Sequence, residues 1–493
     1  MKKFLLFAII IYFITSCCIN EDCFLNKEIT DATDSVETET FTQTLENTRG
    51  KSLYLVKMNP TSKMVSAINS GYAYSNELLN NNEQSEFYRK DNSLALTFYP
   101  KEQSRSANAR SLNTTEYNLN ETKDFWVMEN EALLVENIVW NKLSATLRAK
   151  GDYCYIWVPD NYWGNRTNAV SQSIVTNLQK KFDSMYPRIT NIFGYPGSIE
   201  NTRIHILIFD LFSDNRNGNV FGYFMSKDYY PYEETYRSNE CCMFYLDAYQ
   251  TKDKQEMAYS TLAHEFQHMI NHYNKTLSAT NYEVTQTWFT EMLSMLCEDM
   301  LQSYLEISDE NSPINRMQSF NTGYYQHGIT EWQNTQNSYA NVYAFGAYLI
   351  RNFGGIKLLS AIGKNKKNNK DSVTQALQTL GYDETFDSVF LKFSQALIYE
   401  DSDKLTLNKE ITETFGDYEY RFKAFNIWDV SYRQGFKKIY GPYCFNPSER
   451  LQLRPYGFTI HTQDSWKNIT TDTFTVEFTK NDNDNVKYMF ILK

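Results

Sequence analysis

The chain has 493 residues, 42% apolar and 22% charged, the balance of a globular protein of several domains rather than of a disordered or multi-span membrane chain. Its 48 basic and 59 acidic side chains leave a net charge of −11 with no basic stripe, which argues against nucleic acid as a partner. The 37 Tyr and 32 Phe are read as a broad compositional bias rather than as a binding surface.

Lys2 and Lys3 precede an unbroken apolar run, Phe4 to Ile14, followed by Thr15-Ser16-Cys17. A basic start, a short apolar stretch and small residues before a cut describe an export signal, and the run falls short of the about 20 residues that span a bilayer. Ile14-Thr15-Ser16-Cys17 resembles a bacterial lipobox. Residues 1–16 are therefore expected as a lipoprotein signal peptide and Cys17 as the lipidated residue, with a plain signal cut elsewhere as the alternative. Residues 17–50, acidic and Thr-rich, hold too little apolar surface to fold and read as a tether.

Leu53-Tyr54-Leu55-Val56 and Leu94 to Tyr99 belong to a β-rich segment, interrupted by a polar insert from Lys101 to Thr122. It predicts an N-terminal domain over 51–150, a candidate propeptide. Tyr153 to Val158, Arg203 to Phe209 and Met243 to Leu246 read as buried strands. Between the first two, Ile174, Leu178, Phe182 and Met185 lie on one helical face. Helices are predicted over 253–273 and 283–301, then over 342–353 and 371–400. Beyond Gly435 short strands return at 458–461, 474–478 and 486–492, the last two joined by the polar turn Asn481 to Asn485, giving a C-terminal β domain over 431–493. Strands first and helices second make the fold class α+β. Among the eight cysteines there is no C-x-x-C pair, so a thiolate zinc knuckle is excluded.

Residues 264–268 read His-Glu-Phe-Gln-His, an H-E-x-x-H motif in a chain with six histidines. Positions i and i+4 share one helix face, so His264 and His268 reach one ion, and Glu265 stands beside it as general base. Zinc would act as Lewis acid and bring the pKa of a water towards about 7. A catalytic zinc needs a third protein ligand. His272 continues the row at i+8, but eight residues of helix rise about 12 Å, so it is expected as a helix-end residue, solvated or capping carbonyls. Asn271 and Asn274 occupy the positions where a metzincin needs Gly and His. Glu291, amid Trp288, Phe289, Met292 and Leu293 and 23 positions after His268, is the remaining choice; a buried Glu there asks for a cation. Its alternative is a solvated face residue. Glu298 and Asp299 either accept hydrogen bonds from the ligand histidines or form an acidic, solvent-facing helix end.

Leu262 to Ile270, with Trp288-x-x-Glu291 and Glu298-Asp299, resembles the hyicolysin family of secreted zinc metallopeptidases, gluzincins of the thermolysin-like clan. The resemblance covers about 150 to 430 and implies a catalytic domain of β-sheet and helical subdomains over 151–430, flanked by the small β-rich domains. It implies His264, His268 and Glu291 as ligands of one Zn2+ and Glu265 as base. Thr290 and Met292 depart from the family's W-x-N-E-G, which bears on pocket shape. Tyr343-Ala344-Phe345-Gly346-Ala347 is similar to the Y-x-x-G-A around the catalytic Tyr of zinc aminopeptidases in that clan, so Tyr343 is the implied oxyanion donor, with Tyr339 and His327 as rivals.

The reading is a lipid-anchored, extracytoplasmic zinc endopeptidase acting on protein or peptide substrates. An edge strand within Gly218 to Phe224 would hold the substrate extended. No G-x-M-E-N amine-binding motif precedes the histidine helix, which favours endopeptidase over exopeptidase. The reading from another class is a surface binding or adhesin lipoprotein with a structural zinc. The presence of Glu265 counts against it.

Overall fold

The computed structural model describes residues 40–65, 115–129, 138–166, 169–197, 203–213, 220–232, 235, 237–278, 284–449, 451–479 and 485–493. The signal segment, Cys17, Leu94 to Tyr99 and most of the polar insert and of the 481–485 turn lie outside them.

The strands β1 (Thr40–Glu46), β2 (Leu53–Met58), β3 (Thr122–Met128), β4 (Trp140–Lys150) and β5 (Cys154–Val158) come first. Helix α1 (Gln172–Phe193) leads to β6 (Ile204–Phe209), β7 (Gly222–Phe224) and β8 (Met243–Asp247). The helical part comprises α2 (Ala248–Asp253), α3 (Gln255–His272), α4 (Thr287–Leu305), α5 (Met317–Gly323), α6 (Gln336–Asn352), α7 (Gly355–Lys364), α8 (Asn369–Thr379) and α9 (Phe386–Ile398). Strands β9 (Ile411–Phe415), β10 (Tyr418–Phe422), β11 (Ser431–Gln434), β12 (Lys437–Tyr440), β13 (Phe458–His461), β14 (Thr473–Thr479) and β15 (Lys487–Leu492) close the chain.

A six-stranded sheet in the order β3-β4-β5-β6-β8-β7 forms one layer. Its centre is parallel, β5 to β6 and β6 to β8, and these strands are buried along their whole length. Burial on both faces explains why they read as continuous apolar runs rather than alternating ones. The crossover between β5 and β6 is α1, whose Leu178, Phe182 and Met185 are fully buried, as the spacing predicts. At its start the Ser171 hydroxyl accepts from the Ile174 N–H, supplying the N-cap.

Helix α3 packs against α1 through Phe266, whose ring lies 5.2 Å from that of Phe182 and 5.1 Å from that of Tyr186. Helix α4 lies between α3 and α6, and every residue from Trp288 to Gln302 is buried. It is apolar nearly all round, as a core helix is. The predicted helices at 253–273, 283–301 and 342–353 correspond to α3, α4 and α6, and 371–400 divides into α8 and α9.

The expected domain boundaries at both ends change. Thr40–Glu46, placed in the tether by the sequence, pairs antiparallel with β14. The segment over 51–150 is divided: β2 sits between β13 and β15, while β3 and β4 extend the central sheet. Strands β13, β14 and β15 therefore pair with N-terminal ones, while β11 and β12 pair only with each other. Strand β2 is buried on both faces. Tyr54, Val56 and Met58 join the helical core, and Leu53 and Leu55 join a small cluster with Trp466, Ile469 and Val476. Local periodicity carries no information about partners 400 residues away, which is why the division was illegible. Cys154, Cys241, Cys242, Cys297 and Cys444 carry free thiols.

Candidate metal centre

Within α3 every residue from Ser260 to His272 is buried, between the sheet, α1 and α4. His264 and His268, one turn apart, face α4 with their Nε2 atoms 3.0 Å apart. Glu291, in the second turn of α4, reaches between them: Oε2 is 3.3 Å from His264 Nε2 and Oε1 is 3.4 Å from His268 Nε2. One ligand atom from each residue lies within 4.8 Å of the others, and all three residues are buried. The expected surface alternative for Glu291 thus gives way to complete burial. Burial alone would raise its carboxyl, but the neighbouring imidazoles, His268 foremost, bring it down to about 2. Glu265 is also fully buried, one position round α3 from His264.

Glu298 fixes the proton on His264. Two turns beyond Glu291 and 2% exposed, its Oε1 lies 2.7 Å from His264 Nδ1, and its Oε2 accepts from the Ser260 hydroxyl. Facing a carboxylate, Nδ1 carries the hydrogen and Nε2 keeps its lone pair. That lone pair points at Glu291 and at a second imidazole nitrogen. Three buried donor atoms, two ring nitrogens and a carboxylate oxygen, within 4.8 Å of one another fit a divalent metal. Two imidazoles and one carboxylate are a set that zinc accepts, with a fourth position left for water or substrate. Of the two readings of Glu298, the buried hydrogen-bond acceptor is the one observed.

Met292 packs against α6 at Gly346, where a Cβ would stand 2.7 Å from Met292 Cγ. Ser294 Oγ donates to Gln267 Oε1 at 2.7 Å, a further tie between α4 and α3.

Four other sequence candidates have partners outside the donor cluster. His272 is buried rather than solvated or capping, with ring centroids of Phe224, Tyr229 and Tyr230 at 5.9, 5.6 and 6.3 Å, and burial lowers its pKa to about 3. Tyr343 donates to Asp299 Oδ2 at 3.1 Å, on the side of α4 that meets α6. Asp299 is also held by Arg351, with Nη1 to Oδ2 at 2.9 Å and Nη2 to Oδ1 at 3.2 Å, and all three residues are buried. Desolvation, then the Asp299 charge, pushes the Tyr343 hydroxyl well above its ordinary pKa. Tyr339 packs edge-on to Trp332 at 4.7 Å, and the His327 carbonyl accepts from Asn341 Nδ2.

Strand β7 is an outer strand of the sheet, so the expected edge element exists over Gly222–Phe224; residues 214–219 lie outside the described residues. Gly222 lets it approach α3: a Cβ there would lie 2.7 Å from Tyr245 O and 2.8 Å from Thr261 Cγ2, one turn before Glu265. Sequence reasoning missed Ser260, although its i−4 spacing from His264 already put it on the same helix face.

Residues 141–402 match the family described as peptidase M30. Over 251 residues the chain is 28% identical to a neutral metalloprotease, ShpI, of Staphylococcus hyicus, a match covering 48% of this chain and 54% of that relative. The chain thus spans about half the length of the curated relative it matches.

Proposed function

The chain belongs to the peptidase M30 family, in line with the hyicolysin-type resemblance of residues 262–299, and from that premise we propose that it is a zinc endopeptidase. The observation that carries the reading is the convergence of His264 Nε2, His268 Nε2 and the Glu291 carboxylate, with Glu265 on the same helix. His264, His268 and Glu291 would hold the ion. When bound, zinc supplies Lewis-acid polarisation of the scissile carbonyl and lowers the pKa of a water.

The protein's own groups do the rest. Glu265 takes the proton from the attacking water and returns it to the leaving amine, a general base turned general acid. Glu298 holds the His264 ring by its Nδ1–H, so that Nε2 stays a donor to the metal. The edge of β7 pairs with an extended substrate through backbone hydrogen bonds. Tyr343 is left out of the scheme because its hydroxyl is given to Asp299. The protein is exported and anchored through a lipid on Cys17, and its catalytic region lies within 151–430. Among the described residues no helix is long and apolar enough to cross a membrane.

The test is cleavage of end-blocked peptides by the parent and by Glu265→Gln, with bound zinc counted in both. The expected outcome is equal zinc and a rate reduced about 10²–10⁴-fold in the variant. Equal zinc with no cleavage by either protein would favour a binding lipoprotein with structural zinc. Cleavage confined to free-ended peptides would make it an exopeptidase.

A further inference from the structure

Lys275 lies just past the end of α3, and its side chain is fully buried. Its Nζ is within hydrogen-bond distance of five oxygens supplied by α7, α8 and the loop between them. These are Ile362 O at 2.7 Å, Asn365 O at 2.7 Å, Lys367 O at 2.8 Å, Asn365 Oδ1 at 3.0 Å and Ser372 Oγ at 3.2 Å. An ammonium has three hydrogens, so the oxygens outnumber what it can donate. The single hydrogen of the Ser372 hydroxyl faces Ile362 O and Asn365 Oδ1, and the oxygen therefore offers its lone pairs to Nζ. Three backbone carbonyls, an amide oxygen and a hydroxyl around a point charge are the surroundings of a bound cation. None of the five is a carboxylate, and neutral oxygens suit a single positive charge rather than a double one.

The same loop also holds the start of α4. Asn368 Oδ1 accepts from Thr285 Oγ1 at 3.1 Å, Asn369 Oδ1 accepts from Gln286 N at 2.8 Å, and Asn369 Nδ2 donates to Val284 O at 3.0 Å. Residues 365–369 therefore grip both ends of the connection between the helix bearing His264 and His268 and the helix bearing Glu291.

We propose that the α7–α8 loop is a monovalent-cation site, filled by the chain's own Lys275 ammonium, that keeps α3 and α4 in the register the metal ligands require. The cation site stands on the oxygen cage alone; the positioning role rests on the metal reading above. Shortened at residue 275, the chain should accept a small ammonium ion or potassium in place of the lost head group.

The experiment compares the full chain with Lys275→Ala and Lys275→Met. Thermal unfolding of metal-stripped protein is followed in methylammonium, potassium or choline chloride at equal ionic strength. Both variants are expected to unfold several degrees below the parent in choline, an ion too large for the cage. Methylammonium and potassium should restore Lys275→Ala saturably and leave Lys275→Met unrestored, because the Met side chain fills the channel without a charge. If Lys275→Ala is insoluble as made, its refolding yield in methylammonium against choline reads the same comparison. The same response in all three salts, or equal restoration of both variants, overturns the cation site.

Reloaded with zinc, Lys275→Ala should release it to a chelator about tenfold faster in choline than in methylammonium. Unchanged release alongside restored stability overturns the positioning role alone. A parent that binds no zinc overturns that role together with the metal reading, and leaves the cation site to be decided by the unfolding data.

Discussion

Replacing Glu298 by Ala measures what the carboxylate behind His264 contributes. The bond is 2.7 Å long and nine-tenths or more buried at both ends, so water cannot replace the lost acceptor. A hydrogen bond to a charged group is worth about 1.5–3 kcal/mol. At about 1.4 kcal/mol per decade, that predicts zinc held roughly tenfold to a hundredfold more weakly, the range found for partners of metal-bound histidines. Glu298→Gln keeps an oxygen opposite Nδ1–H without its charge, and a neutral bond is about half as strong. Its loss should be the smaller, several-fold rather than a hundredfold. Ser260→Ala removes one donor from the far oxygen and should weaken zinc least of the three. Competition with a chromophoric chelator near neutral pH gives the affinities, with circular dichroism to check that each variant is folded. Glu298→Ala binding zinc as tightly as the parent would refute the role. Glu298→Gln proving worse than Glu298→Ala would show that the proton on Nδ1 has been misassigned.

Tyr343→Phe removes one buried hydrogen bond and leaves the Asp299–Arg351 pair, so it should cost about 1 kcal/mol in urea unfolding with kcat within about twofold of the parent. A kcat lowered about a hundredfold at unchanged stability would return Tyr343 to the role of oxyanion donor. Asp299→Ala should cost more, about 3–5 kcal/mol, because Arg351 is left buried without a counter-charge. In acid, His205, His272 and His461 matter together, each lowered by burial from 6.5 to about 3. The unfolded chain takes up protons at these sites as pH falls through 6.5 while the folded chain does not, so their stabilisation is full above 6.5 and is lost towards 3. Each contributes about 1.4 kcal/mol per pH unit within that window. Unfolding free energies at pH 7 and 5 should show it, and His272→Phe should remove one proton from the slope; an unchanged slope would mean that His272 titrates normally.

The chemistry was legible because it is local. H-E-x-x-H states its geometry through the helix repeat alone, and Glu291 announced itself as a carboxylate inside an apolar run. The helices carrying them lie close to where the spacing puts them. Residues whose role depends on what lies opposite were another matter. Glu298 and Asp299 are adjacent in sequence, yet one faces His264 and the other Arg351 and Tyr343, because neighbouring positions on a helix point about 100° apart and α4 is flanked by different helices on its two sides. Nothing within the segment says which helix stands where. The solvation of His272 was misjudged in the same way: a buried aromatic pocket is a property of packed partners.

By itself, then, the sequence determined the H-E-x-x-H helix, the buried carboxylate expected as third ligand and the α+β succession, since each follows from backbone periodicity and the cost of burying a charge. Tertiary structure alone decided which strands share a sheet, which carboxylate supports His264 and where Tyr343 spends its hydroxyl. Those outcomes turn on contacts between segments distant in the chain, whose free energies exist only once both partners are brought together.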